Sequence, residues 1–210
     1  MWTRNYYNLL TAMFIADDPG MSTSAPSSYQ PPVRVRRLNG NYFEPNVMTN
    51  PQGAYSASLG RQMGCLMLDK LGATLITTNG QTNDYNMGIL VGSGSTPASY
   101  EDYQLDELIT SGITLVSTTG TLTETAFDND THIMTSKRSF TLNNSSGSNI
   151  TISEIGLSIG CYSYNSSNHG FQTLVYREVL DSPVTLAPGE SMILDIARSG
   201  IPYNYTPYPA

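Results

Sequence analysis

The sequence predicts a mainly β protein built as an antiparallel β-sandwich, and three observations predict it. Apolar residues alternate with polar ones late in the chain: Phe140, Leu142, Ile150 and Ile152 share one parity across the polar segment Asn143 to Asn149, the period-two pattern of strands that each bury one face. Turn chemistry separates such runs. Val184 and Leu186 precede Pro188-Gly189-Glu190-Ser191, and Met192, Leu194 and Ile196 then resume the alternation, so a Pro-Gly turn is expected to reverse an antiparallel strand there. Finally, only 13% of residues are charged while Ser, Thr, Asn, Gly and Tyr are plentiful, which suits β-rich surfaces with tight turns and argues against a helical bundle.

The elements follow in chain order. Trp2, Tyr6, Leu9, Leu10, Met13 and Phe14 lie on one stripe of a short amphipathic N-terminal helix, ended by Asp17-Asp18-Pro19-Gly20. Residues 19–32, rich in Pro and Ser, have no periodicity and read as an extended linker. A short strand is expected around Val33 to Leu38, then irregular structure to Tyr55. Two strands follow near Ala73 to Thr78 and Asn86 to Val91, joined by the polar connection Asn79 to Asp84. Beyond the loop Gly92-Ser-Gly-Ser-Thr-Pro97, Ser99 and Asp102 resemble a capping box, and Leu105, Leu108 and Ile109 predict one short internal helix ended by Gly112. Strands are expected near Ile113 to Ser117, Thr121 to Phe127 and Ile133 to Leu142. At Ser153-Glu154 the apolar parity changes from Ile150 and Ile152 to Ile155, Leu157 and Ile159, which predicts a bulge or bend eased by Gly156. Three prolines exclude helix or central strand from residues 199–210.

A chain of 210 residues supports one substantial core with extensions. We divide it into residues 1–60, an N-terminal helix and extended arm for assembly contacts; residues 61–198, the sandwich, of jelly-roll or immunoglobulin-like type; and residues 199–210, a Tyr/Pro-rich C-terminal tail. Arms of this composition bury too little of their own apolar area to offset chain entropy, so neighbouring subunits are their expected partners. Neither a signal-peptide pattern nor an apolar run long enough to span a bilayer is found. Cys65 lies in an apolar run and reads as a buried free thiol, with a disulfide to Cys161 not indicated.

Three segments carry a resemblance. Thr151-Ile-Ser-Glu-Ile-Gly-Leu157, Leu174-Val-Tyr-Arg177 and Pro183-Val-Thr-Leu-Ala-Pro-Gly-Glu-Ser191 resemble a pattern of tailed-bacteriophage virion proteins of the tail, fibre and particle-surface type. Gly88-Ile-Leu-Val-Gly-Ser-Gly-Ser-Thr-Pro97 resembles the glycine-rich turn before a short helix in the same proteins. The resemblance spans roughly Leu75 to Ile196. It implies a structural component of a virion (tail, neck, fibre or capsid surface), assembled in the bacterial host cytoplasm with copies of itself and other virion proteins as partners. Its alternative is a receptor- or glycan-binding module of a tail or fibre, with a host-surface glycan as ligand.

Enzymatic chemistry finds no support in the residues. The Gly92-Ser-Gly-Ser-Thr96 loop lacks a following Gly-Lys-Ser/Thr and precedes an acidic segment that would repel a phosphate. The Gly-x-Ser-x-Gly spacing occurs at Gly156-Leu-Ser-Ile-Gly160, inside a strand-like run and not at the strand-to-helix turn a nucleophile elbow needs, and His132 and His169 have no plausible partners nearby in sequence. Glu101, Asp102, Asp106 and Glu107 read as a solvated helix face rather than glycosidase carboxylates, and Asp128-Asn-Asp130 lacks the later ligands of a calcium loop. No cofactor, metal or catalytic residue is expected. The formal charge of −7 opposes general nucleic-acid binding. Locally, however, Arg34, Arg36 and Arg37 make residues 34–37 basic, and they are candidate contact residues alongside the bland reading of strand-edge charges. Tyr gives large contact area at low rotamer cost, and the chain has 14. The candidate assembly contacts are therefore Trp2, Tyr6, Leu10, Phe14, Arg34, Arg36, Arg37, Tyr203, Tyr205 and Tyr208, and the alternative ligand loop holds Tyr162 and Tyr164.

Overall fold

A computed structural model describes residues 1–9, 34–43, 73–78, 87–118, 121–128, 133–162 and 170–199. The strands are β1 (Val35–Arg36), β2 (Tyr42–Phe43), β3 (Ala73–Leu75), β4 (Met87–Gly92), β5 (Ile113–Leu115), β6 (Thr121–Asp128), β7 (Ile133–Asn144), β8 (Ile150–Tyr162), β9 (Gly170–Leu186) and β10 (Ser191–Ser199). The fold is mainly β. One four-stranded sheet runs β3-β4-β8-β9; a second has β7 at its centre, with β10 along one edge and β5 and β6 along the other. β1 and β2 form a separate ribbon.

The second sheet is antiparallel throughout, but the first is mixed, because β3 pairs β4 in parallel. Every other strand pairing is antiparallel, as the sequence leads one to expect. β4 is buried at every position, as the near-continuous apolar run Met87-Gly-Ile-Leu-Val demands, since a strand covered on both faces shows no alternation. At the other side of β3, the Ala73 N–H donates to the Thr118 carbonyl just past β5, so the two sheets adjoin there.

Residues of both sheets share one apolar cluster. Ile89, Val91, Leu157 and Ile159 meet Phe140, Leu142, Leu194 and Ile196 in it. A smaller cluster of Leu38, Ile76, Leu90, Leu105 and Leu174 covers the opposite face of the mixed sheet. The parity change in β8 is present as anticipated: the register with β9 shifts between Ile152 and Glu154, so Ile152 and Ile155 both reach the main core. On β9, Leu180 to Pro183 bulge opposite Ser153, since Ile152 pairs Val184 and Glu154 pairs Val179. Gly156 serves packing more than bending, because a Cβ there would lie 2.9 Å from Leu105 Cδ2 and from Leu174 Cδ1.

Two sequence expectations are corrected. The Pro188-Gly189 turn closes with Glu190 N–H on Ala187 O at 3.0 Å and Gly189 at φ 80°, the pattern of a type II turn. It does not make a hairpin, because β9 pairs β8 and β10 pairs β7. A type II turn splays its flanking strands instead of matching their twist, which fits a chain passing from one sheet to the other. The internal helix is also absent. Ser99 and Asp102 do make capping-box bonds (Ser99 N–H to Asp102 Oδ2, 2.7 Å; Glu101 N–H to Ser99 Oγ, 3.3 Å), but the next N–H groups are taken elsewhere. Those of Asp106 and Glu107 go to the Glu154 carboxylate, and that of Ile109 goes to Val91 O. Leu108 bridges Gly92, so this segment extends the β4 edge.

The helix at the N-terminus spans residues 4–9. Trp2 precedes it and forms a β-bridge with Tyr176, while Tyr6 and Leu9 enter the main core. Leu10, Met13, Phe14, the linker, Cys65, His132, Tyr164, His169 and residues 200–210 lie outside the described residues.

Candidate functional site

Three of the segments that carry the resemblance, residues 88–97, 151–157 and 174–177, converge on one buried polar constellation. Glu154 of β8 and Arg177 of β9 project from the outer face of the mixed sheet beneath residues 93–107, and are 0% and 2% exposed. Arg177 Nε donates to Glu154 Oε2 at 2.8 Å, Nη1 to Asp102 Oδ2 at 2.8 Å and Nη2 to Thr96 O at 2.9 Å. Glu154 also accepts the N–H groups of Gly94 (3.2 Å), Asp106 (3.1 Å) and Glu107 (2.8 Å). Both buried charges are thus paired and hydrogen-bonded, the condition for tolerating them in a low dielectric. Desolvation pushes the Arg177 pKa down, but hydrogen bonds and charges from Asp102 and Glu154 outweigh it and raise the pKa.

Two glycines let the loop backbone come this close. A Cβ on Gly92 would stand 2.5 Å from Glu154 Oε1 and 2.6 Å from Glu107 O, and one on Gly94 would stand 2.6 Å from Glu154 Oε1. Asp106 accepts from the Thr96 hydroxyl (2.7 Å) and N–H (3.2 Å), which hold its carboxyl below the ordinary range. Of the acids expected to form a solvated helix face, Glu101, Asp106 and Glu107 are exposed, though on no helix, and Asp102 is half-buried. Asp102 holds Arg177, Asp106 holds Thr96, and Glu101 pairs with Arg4. With Glu154 saturated by donors, the cluster is built to fasten a loop. Among the described residues no group of three His, Cys, Asp or Glu side chains is placed to hold a metal, and no helix is long and apolar enough to cross a membrane.

Contact chemistry gathers elsewhere, where the N-terminal helix, the β1-β2 ribbon and residues 100–103 meet. Arg36 stacks on Tyr103 at 3.6 Å from the ring centroid, lies 5.4 Å from that of Tyr42, and donates Nε to Gly40 O at 2.8 Å. Arg4 lies 5.3 Å over Tyr100, which also meets Tyr7 at 5.8 Å. Tyr7, Tyr42 and Tyr100 remain 47%, 62% and 41% exposed. Guanidinium–ring contacts hold these side chains in place while leaving ring area accessible, and Arg and Tyr are enriched at protein interfaces.

Beneath this surface the N-terminal segment is stitched to the β9 edge. Thr3 N–H donates to Val175 O and Arg177 N–H to Met1 O, both at 3.0 Å. Buried Asn5 accepts from Arg36 N–H and donates to the carbonyls of Arg36 and Leu174. Trp2 stacks on Tyr6 at 4.3 Å and meets Tyr176 edge-on at 5.1 Å.

Of the candidate residues, Arg36 belongs to the exposed surface and Arg34 stands at its margin, its carbonyl accepting from Asn8 Nδ2 at 2.6 Å. Arg37 is half-buried, and desolvation lowers its pKa. Trp2 and Tyr6 pack within the chain. Tyr162 ends β8 opposite Gly170; Leu10, Phe14, Tyr164, Tyr203, Tyr205 and Tyr208 lie outside the described residues. Sequence reasoning missed Glu154 and Arg177 as partners and Tyr7, Tyr42, Tyr100 and Tyr103 as a surface. The lone charge inside the apolar run Ile-Ser-Glu-Ile, and Arg177 directly after Leu-Val-Tyr, were the available signal for the pair, since an unpaired charge is not tolerated in a core strand. No protein-family model, no curated protein and no solved structure matches this chain.

Proposed function

We propose that this chain is a non-enzymatic structural component of a tailed-bacteriophage virion, a tail, neck, fibre or capsid-surface protein assembled in the host cytoplasm. In this reading it is a β-sandwich of jelly-roll or immunoglobulin-like type whose terminal segments hold it to copies of itself and to other virion proteins. The resemblance of its strand and turn segments supports the family. The nature of those segments supports an architectural role, because three of them meet in a saturated Arg177–Glu154 fastening. The observation that carries the assembly reading is the exposed arginine–tyrosine surface of Arg4, Tyr7, Tyr100, Arg36 and Tyr42. Deleting residues 1–20 and 200–210 tests it: self-association by light scattering and incorporation into particles should both be lost, and retention of both would refute the arm contacts.

A second reading, a module that binds host-surface glycan, is favoured by the accessible faces of Tyr42 and Tyr100, since ring faces stack on sugars as well as on protein. Purified protein would then bind envelope polysaccharide, and Tyr42→Ala with Tyr100→Ala would abolish it. Failure to bind polysaccharide, with assembly intact, leaves the architectural reading alone.

A further inference from the structure

We infer that residues 1–9 exchange between copies, with residues 1–3 adding as a strand to the β9 edge of a neighbouring subunit. This rests on the assembly reading above and names the surface through which it works.

β9 is the outermost strand of its sheet. Among the described residues its free edge from Gln172 to Arg177 is covered by residues 1–3 and by Leu38, whose N–H donates to Gln172 O at 3.3 Å. An open edge strand pairs readily with other chains, and here a detached piece of sequence fills it. The fit is specific. Backbone bonds at Met1 and Thr3 flank the Trp2–Tyr176 bridge, the Thr3 hydroxyl donates to Leu174 O at 2.8 Å, and Tyr6 and Leu9 enter the core beside it. All these contacts join residues 1–9 to a surface made by the rest of the chain, so a second copy can make the same set.

The connector is much longer than contact within one chain requires. Asn8 Nδ2 lies 2.6 Å from Arg34 O, so the two ends of residues 10–33 are one hydrogen bond apart. A connection of roughly 2–8 residues would ordinarily close such a gap. The sequence places 24 residues there instead. Exchange therefore needs no new contacts, and the balance between the closed and exchanged arrangements depends on protein concentration. Each donor must also receive, which closes a pair or a ring.

The test uses full-length protein carrying Cys65→Ser and Cys161→Ser. Trp2 and Tyr176 face each other between two hydrogen-bonded pairs, where antiparallel Cα atoms are about 4.5 Å apart, within the range a disulfide spans. Trp2→Cys and Tyr176→Cys chains are made separately with tags of different mass, mixed at increasing concentration and oxidised. A disulfide-linked heterodimer that increases with concentration is the expected result. Arg4→Cys and Glu101→Cys, at exposed ion-paired positions, give a second mixed pair for a short bis-maleimide should the Trp2 variant not fold. If light scattering shows oligomers but neither mixture links across chains, the exchange is overturned while the assembly reading stands. If the protein is monomeric at every concentration, both fall.

Discussion

Replacing Arg177 with Met removes the cation from beneath residues 93–107 while keeping most of the side-chain volume. Glu154 would remain fully buried with its charge opposed only by the Gly94, Asp106 and Glu107 N–H groups. Breaking a buried ion pair by removing one partner costs about 3–5 kcal/mol, and the three remaining donors place this case near the lower end. For a protein of this size each kcal/mol moves the melting temperature by roughly 2–4 °C, so a fall of about 6–12 °C is expected. Urea unfolding gives the free energy directly. Amide hydrogen exchange locates the loss, since Gly94, Asp106 and Glu107 should lose protection before the β7 amides do. Glu154→Gln, which sets an amide NH2 against several donors, should cost about 1–3 kcal/mol. The double variant should show coupling, because the two side chains share one hydrogen-bond network. A loss below about 1 kcal/mol for Arg177→Met, with unchanged protection of those three amides, would refute the reasoning.

Other substitutions probe the same physics. Gly92→Ala should destabilise by about 1–3 kcal/mol through overpacking, read as a lower urea midpoint, because its Cβ would meet the Glu107 carbonyl at 2.6 Å. Thr173→Val should be neutral or stabilise by up to about 1 kcal/mol, since the buried Thr173 hydroxyl has no hydrogen-bond partner among the described residues; a clear loss of stability would show that the hydroxyl is satisfied. The Asp106 carboxyl is lowered from its ordinary value of 3.8 by the Thr96 hydroxyl and N–H, and that of Asp195 chiefly by the Ser139 hydroxyl at 2.5 Å. Carboxyls depressed in the folded state add stability that is present above their unfolded pKa and disappears as pH falls through the folded one. Melting temperature should therefore drop as pH passes below 3.8, and Asp106→Asn should flatten that slope; an unchanged slope would refute the assignment.

Much of the β framework was legible in the chain, because alternation and turn residues act over a few positions. Ile133 to Leu142, Thr121 to Phe127 and the Ser153-Glu154 parity change all follow from side chains pointing to alternate faces, and the strands and bulge lie where that period puts them. Local rules failed where a backbone donor had a distant competitor. Ser99 and Asp102 form their cap, yet no helix follows, because Glu154, 47 residues beyond Glu107, captures the amides a helix would use. The Pro-Gly turn is equally legible, but whether it folds a strand back or hands it to another sheet depends on which edges are free.

By itself the sequence determined the strand spacing, the bulge, the turn at Gly189 and the low charge density, all properties of neighbouring residues. Only the tertiary structure decided that β3 runs parallel to β4, that Glu154 and Arg177 join three separated segments, and that tyrosines from residues 7, 42 and 100 gather at one surface. The physical reason is that sheet order and buried charge pairing are settled by contacts between residues distant in the chain, whose partners no local period or turn residue encodes.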